Sequence, residues 1–133
     1  MIYSFLQNGD SAVTVQFKNE ISEEVNRRVT GLCNRIEAKH INGIIELVPT
    51  FASLTVFYDC TIISSKKLKK KIKSLINGGE CDVKSTAKVW NIPVCYDDEF
   101  ALDMKNVCSH TALEREEVIK LHTSKPYLIY MLG

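Results

Sequence analysis

The order of the predicted secondary-structure elements constrains this chain more than any single motif does. From residue 12 to residue 94, hydrophobic patterns follow one another as strand, helix, strand, strand, helix, strand. Val13, Val15 and Phe17, for example, alternate with polar residues as in a half-buried strand. This order is typical of the split βαβ arrangement, in which both helices cover one face of an antiparallel sheet. The sequence therefore predicts an α+β, ferredoxin-like βαββαβ sandwich.

The predicted core domain also has an extra strand, Ile2–Leu6, at its front. A turn at residues 7–10 joins this strand to the next. Asn8-Gly9-Asp10-Ser11 has a single glycine and opens no helix, so it is a hairpin turn rather than a phosphate-binding loop. The remaining predicted strands are Ala12–Phe17, Ile44–Val48, Ser53–Tyr58 and Ala87–Val94, and the predicted helices are Ser22–Lys39 and Ser65–Ile76.

The last part of the chain has a different character. Two short helices are predicted, roughly Leu102–Ser109 and Thr111–Leu121, the second beginning with a capping box from Thr111 to Glu114. A terminal strand, Lys125–Gly133, follows. These last residues, about 40 in number, are too few to form a stable separate domain by themselves. An exposed strand edge invites other chains to add to it, so we expect self-association through Tyr127, Ile129 and Met131.

Composition excludes several classes of function. The net charge of +1 provides no global field for nucleic acid or an anionic membrane. The N-terminus has neither a basic region nor a cleavage site of the secretory kind. Five widely spaced cysteines without a CxxC pair indicate a reducing compartment, the cytoplasm. Cys33 and Cys95 are expected to be small buried hydrophobic residues.

Few residues carry a chemical signal of their own. The spacings of Cys95, Cys108, His110 and His122 fit no familiar zinc pattern, so no metal site is predicted. Six lysines between residues 66 and 73 could contact phosphate or an acidic partner, but a solvated helix face explains them as well. The acidic residues 97–99 could supply paired carboxylates or form a solvated loop. From the residues alone, the sequence predicts a fold and no chemistry.

Several segments spread over nearly the whole chain resemble the signature of one protein family. They are Gly9–Ala12 (GDSA), Gly43–Glu46, Val48-Pro49, Ser53–Asp59, Ile92–Tyr96, Glu99-Phe100, Glu117–His122 and Tyr130–Gly133.

This signature is similar to that of the B subunit of bacterial 5-oxoprolinase, a family that also includes allophanate hydrolase subunit 1 and KipI, an inhibitor of a sporulation histidine kinase. The resemblance implies a small N-terminal α+β domain, residues 1–86, followed by a cyclophilin-like β-barrel, of which residues 87–133 would be the first part. In such proteins the strand like Tyr127–Gly133 leads into the rest of the barrel. By this resemblance, the chain stops before most of the cyclophilin-like domain, so we expect a truncated form that is inactive by itself.

The resemblance implies two alternative functions. In the first, a complete relative works with a homologous C subunit and an A subunit in the ATP-dependent opening of 5-oxoproline to glutamate. ATP is then used by the complete complex, and no cofactor is bound by this chain. In the second, the protein binds a histidine kinase and blocks its autophosphorylation. Within the distinctive block, His122 and Tyr130 are the candidate residues for binding substrate or a partner, and the catalytic residues are unknown.

Overall fold

The computed structural model describes residues 3–78 and 88–132, and these contain four strands and four helices. The described residues divide into two compact units, the first formed by residues 3–78 with 129–132 and the second by residues 88–128. The predicted domain boundary at residue 86 lies outside the described residues. The elements are β1 (Ser4–Asn8), β2 (Ala12–Gln16), α1 (Glu23–Ala38), β3 (Ile44–Pro49), β4 (Ser53–Tyr58), α2 (Ser65–Asn77), α3 (Met104–Thr111) and α4 (Arg115–Thr123).

The four strands form one antiparallel sheet in the order β1-β2-β4-β3. β2 and β3 both pair antiparallel with β4, so they run parallel to each other with β4 between them. Helix α1 connects these two parallel strands, which is the split βαβ arrangement. The prediction of an α+β, ferredoxin-like sandwich is therefore confirmed.

The extra N-terminal strand takes an edge position in this sheet. β1 pairs with β2 through a hairpin turn in which Gly9 has φ +60°, and its register places Phe5 opposite Val15. In a complete ferredoxin-like sheet, a strand after α2 would lie beside β2 and run parallel to β4. In this chain, β1 occupies that position. The strand predicted at Ala87–Val94 is wrong for residues 88–94, which belong to no strand and are exposed, and Ala87 lies outside the described residues.

The core of the first unit lies between one face of the sheet and the two helices. Val13, Val15, Leu54 and Val56 point from β2 and β4 into this layer, because alternate residues of a strand share a face. Full burial of each such aliphatic side chain contributes about 1.5–3 kcal/mol. The helices close the layer with their buried apolar stripes, namely Val25, Val29, Leu32, Cys33 and Ile36 of α1 and Leu68, Ile72 and Ile76 of α2.

The second unit differs from the prediction in the details of its helices. Two short helices are present, but α4 begins at Arg115 rather than at Thr111. Thr111 is the last residue of α3, and Ala112 after it adopts a left-handed conformation with φ +55° that ends the helix. The capping box is formed by Glu114 and Glu117. The predicted box at Thr111 is therefore wrong, because Ala112 ends α3 and the next helix is capped by Glu114.

The strand predicted at Lys125–Gly133 is also wrong for residues 125–132, and Gly133 lies outside the described residues. Residues 125–132 are assigned to no strand, and Tyr127, Ile129 and Met131 are exposed. This segment is rich in apolar residues, yet it pairs with no strand among the described residues. The expected burial of Cys33 is confirmed, whereas Cys95 is exposed.

In the ranges 3–78 and 88–132, no helix has the length and apolar character required to cross a membrane.

Candidate functional site

An aromatic and imidazole cluster lies in the second unit. We define the His122 cluster as Tyr96, His122 and Tyr127. The hydroxyl oxygen of Tyr96 lies 2.5 Å from Nδ1 of His122, and the two rings meet edge to face with centroids 5.9 Å apart. The ring of Tyr127 also contacts the imidazole, at 5.7 Å between centroids. His122 is thus in contact with two tyrosines, one far from it in sequence and one beyond the end of its helix.

Helix α4 positions this cluster from both of its ends. His122 is in the last turn, where a cation is favoured by the helix dipole. In the first turn, the guanidinium of Arg115 donates hydrogen bonds to the backbone carbonyl of Tyr96 and to the carboxylate of Asp98. Arg115 binds the backbone of Tyr96, and His122 contacts the Tyr96 side chain. Together these contacts hold the loop at residues 96–98 against α4.

The ion pair of Arg115 and Asp98 dominates the electrostatics of this loop. Hydrogen bonding from Arg115, assisted by its charge, holds the pKa of Asp98 below its ordinary value. The same hydrogen bond raises the pKa of Arg115. Asp98 is exposed and Arg115 is only half-buried, so the pair orders the loop rather than adding greatly to stability. Asp97, Asp98 and Glu99 are all exposed, and Asp98 is the one that pairs with Arg115.

The His122 cluster can bind a polar group and transfer a proton. Imidazole is the side chain that donates and accepts protons most readily near neutral pH. Nδ1 is engaged by the Tyr96 hydroxyl, and Nε2 has no hydrogen-bond partner among the described residues. The ammonium of Lys125 lies 5.8 Å from the centre of the Tyr127 ring, which adds a positive charge beside the aromatic surface. His122 and Tyr127 are exposed, so the cluster forms an open binding surface.

The other predicted site residue, Tyr130, belongs to the first unit. Its backbone carbonyl accepts a hydrogen bond of 2.9 Å from the side-chain amide of Asn26, a buried residue of α1. Tyr130 is therefore anchored through its backbone, and its half-buried side chain carries no hydrogen bond to the described residues. Within the described ranges, no group of three or more His, Cys, Asp and Glu residues could hold a metal ion.

Sequence reasoning did not identify Tyr96, Arg115 or Asn26 as members of these arrangements. Tyr96 precedes His122 by 26 residues, and Asn26 precedes Tyr130 by 104. Neither separation corresponds to a helical or strand repeat. The only available signal was that Tyr96 and His122 both lie in the block of sequence that resembles the family signature.

Comparison with known proteins gives a consistent result. The family model for the carboxyltransferase domain, subdomain C and D, matches residues 3–133. The B subunit of 5-oxoprolinase from Bacillus subtilis is 38% identical over 98% of this chain. The match covers 59% of that relative, so the chain spans less than two thirds of its length.

Two solved structures are also similar. The conserved uncharacterized protein PH0987 from Pyrococcus horikoshii is 34% identical, with a TM-score of 0.54 over 98% of this chain and 59% of PH0987. The N-terminal domain of the histidine kinase inhibitor KipI from Bacillus subtilis is 34% identical, with a TM-score of 0.50 over 58% of this chain and 86% of that domain. The likeness to the KipI domain agrees with the resemblance seen in the sequence.

Proposed function

Because the chain belongs to the carboxyltransferase domain family, subdomain C and D, we propose that it acts as the B-type component of an ATP-dependent 5-oxoprolinase. The observation that carries this proposal is the 38% identity to the 5-oxoprolinase B subunit over 98% of the chain. The same match relates the chain to one component of a multi-subunit amidohydrolase. The specific substrate and the partners are part of the proposal.

The proposed reaction is hydrolysis of a lactam. The C–N bond of the 5-oxoproline ring breaks, water supplies the hydroxyl group of the new carboxyl, and the released nitrogen becomes the amine of glutamate. Hydrolysis of ATP to ADP and phosphate in the complete complex drives the reaction. The partners are an A subunit and a homologous C subunit, and the compartment is the cytoplasm. In this proposal the chain itself binds no cofactor.

We assign binding of substrate or partner to His122 and Tyr130. His122 is supported by its exposed position beside Tyr96 and Tyr127 and by its Nε2, which no described residue hydrogen-bonds. Tyr130 is supported by the anchoring of its backbone to Asn26, which fixes the place from which its side chain extends.

A second candidate function is inhibition of a histidine kinase. The similarity to the N-terminal domain of KipI favours it, because that likeness covers 86% of the KipI domain. In this alternative the protein performs no chemistry and acts by occupying a surface of the kinase. The exposed apolar residues near the C-terminus, such as Tyr127 and Ile129, would suit such a contact.

A chimeric protein tests the first proposal. Residues 1–133 of this chain replace the matched part of the Bacillus subtilis B subunit, and the product is mixed with the A and C subunits of that organism. We expect ATP consumption and glutamate formation only when 5-oxoproline is added. The unaltered B subunit is the positive control, and the mixture without any B subunit is the negative control. The 133-residue chain alone is expected to be inactive in the same mixture.

An inactive chimera would contradict the oxoprolinase proposal only if the chimera is folded. A folded chimera that consumes no ATP in response to 5-oxoproline, while the unaltered B subunit does, contradicts the oxoprolinase proposal. If this chain then lowers the autophosphorylation of a purified sporulation histidine kinase, the inhibitor function is supported instead.

A further inference from the structure

An open groove runs along the free edge of the sheet in the first unit. It has a volume of about 450 Å³ and is lined by three residues of the N-terminal edge and three lysines of α2, namely Tyr3, Ser4, Phe5, Lys69, Lys70 and Lys73. We name these six residues the edge groove. They combine a strand edge, two aromatic rings and three ammonium groups.

The strand edge in this groove has no partner among the described residues. β1 is first in the sheet order and pairs only with β2. Proteins usually protect such an edge with charged residues, proline or a bulge within the strand. β1 has the sequence Ser-Phe-Leu-Gln-Asn, which includes neither a charge nor a proline, and its pairing with β2 is regular. The edge is therefore able to accept a further strand.

The aromatic side of the groove is held in place by packing. Tyr3 and Phe5 pack edge to face with centroids 5.7 Å apart, and Tyr3 also contacts the ring of the buried Phe17. At the other end of β1, Ser65 Oγ donates a hydrogen bond of 2.6 Å to Oε1 of Gln7, which ties the start of α2 to the strand. The spacing between helix and strand is thus set before any partner binds.

The lysine side of the groove carries charge that the described chain does not neutralise. α2 contains six lysines and no acidic residue, and within residues 3–78 and 88–132 none of the six forms an ion pair. Like charges three or four positions apart destabilise a helix, and lysines in its first turn oppose the helix dipole. An anionic occupant of the groove would offset the repulsion among Lys69, Lys70 and Lys73. The overall charge of +1 shows that this is a local concentration of cations.

We propose that the edge groove binds an extended acidic peptide segment of a partner protein, which adds to β1 as a further strand of the sheet. Backbone hydrogen bonds to β1 would supply the pairing, as in other cases of strand addition. Alternate side chains of the peptide would face the helix layer, where carboxylates meet Lys69, Lys70 and Lys73 above the aromatic rings. A peptide fits better than nucleic acid or a lipid headgroup, because neither of these can pair with a strand edge. The proposal does not depend on the oxoprolinase function.

The test measures binding of a defined probe to the full chain. The probe is a fluorescent, acetylated peptide of alternating glutamate and threonine, followed by anisotropy at low salt and by amide shifts in NMR spectra. We expect binding, with the largest shifts at residues 3–8. A peptide with lysine in place of glutamate should not bind. Methylation of alternate backbone nitrogens on the probe should abolish binding, because it removes the donors that pair with β1.

A matched pair of variants separates the groove from bulk charge. Lys70→Glu with Lys73→Glu reverses two exposed lysines on the groove side of α2, and Lys67→Glu with Lys71→Glu reverses two exposed lysines that do not line the groove. We expect the first variant to weaken binding roughly tenfold and the second less than about threefold. Circular dichroism confirms that both are folded.

Three results would overturn the proposal. The first is equal weakening in the two variants, which indicates attraction to charge alone. The second is retention of binding by the methylated peptide. The third is tighter binding of oligothymidylate or of phosphatidylserine vesicles than of the acidic peptide, which assigns the lysines to a nucleic acid or a membrane surface.

Discussion

The side-chain amide of Asn26 donates a hydrogen bond of 2.9 Å to the backbone carbonyl of Tyr130, across 104 positions of the sequence. Asn26 is buried on α1, and its own backbone carbonyl accepts a hydrogen bond from the hydroxyl of Thr30 one turn later. The contact ties the segment at residues 129–132 to the first helix of the same unit.

Loss of this hydrogen bond is expected to destabilise the first unit. Asn26→Ala removes the donor and leaves the Tyr130 carbonyl without it, which should lower the free energy of unfolding by about 1–2 kcal/mol. Asn34→Ala is the control, because Asn34 is exposed on the same helix and its replacement should not lower stability. Urea unfolding followed by circular dichroism measures both. Equal stability of the two variants would show that the Asn26 contact is not made in solution.

Two glycines provide a matched test of backbone constraint. Gly43 has φ +94°, and a Cβ there would lie 2.7 Å from Cγ2 of the buried Ile63. Gly31 lies within α1, and a Cβ there meets nothing within 4 Å. Gly43→Ala should therefore reduce stability by about 1–3 kcal/mol. Gly31→Ala should increase it by about 0.5–1 kcal/mol, because alanine is the better helix former. Thermal unfolding that gives the same sign for both variants would contradict this interpretation.

The ion pair of Arg115 and Asp98 predicts a local dependence on pH. Because the pKa of Asp98 is lowered in the folded chain, the contact contributes above the ordinary pKa of an aspartate and is lost as the pH falls through the lowered value. Arg115→Gln should raise the pKa of Asp98 toward its ordinary range. The pKa of Asp59 is lowered by hydrogen bonds from Thr61 and should not change, which makes it an internal control. Carboxyl ¹³C chemical shifts measured during titration follow both groups, and an unchanged Asp98 would exclude the pair.

Substitutions in the His122 cluster are expected to lower the activity of the chimeric oxoprolinase. His122→Ala should reduce 5-oxoproline-dependent ATP consumption by roughly tenfold or more if the imidazole binds or transfers a proton. Tyr96→Phe should give a smaller loss, because it removes only the hydroxyl group that contacts Nδ1. His110→Ala is the control, since His110 is exposed in the last turn of α3 and lies outside the cluster. Full activity of the folded His122 variant would remove it from the site.

Self-association through the C-terminal segment stays a prediction. Its basis is now the exposure of Tyr127, Ile129 and Met131 rather than a strand, since the segment is not part of the sheet. Sedimentation of the 133-residue chain should show a larger species whose fraction grows with concentration. Replacing the three residues by serine should abolish it, whereas replacement of the exposed Ile21 by serine should not. A chain that remains monomeric at high concentration contradicts the prediction.

The sequence predicted the elements that local forces decide. The bounds of β4, Ser53–Tyr58, agree with the alternation of Leu54, Val56 and Tyr58, and the start of α2 follows Ser64, whose hydroxyl accepts a hydrogen bond from the backbone of Lys67. The prediction failed at α4, where Thr111 and Glu114 had the spacing of a capping box but Glu114 itself became the cap. One local pattern was compatible with two helix starts, and the left-handed turn at Ala112 decided between them.

Local patterns were thus sufficient to predict the split βαβ order, the two amphipathic helices and the family. Hydrophobic periodicity and residue signatures depend only on residues that are close together in the chain. The folded chain was needed to show that β1 occupies the edge of the sheet, that Tyr96 meets His122 and that Asn26 holds Tyr130. These relationships join residues far apart in the chain. They are set by which distant surfaces pack together at the lowest free energy, and no local pattern encodes that choice.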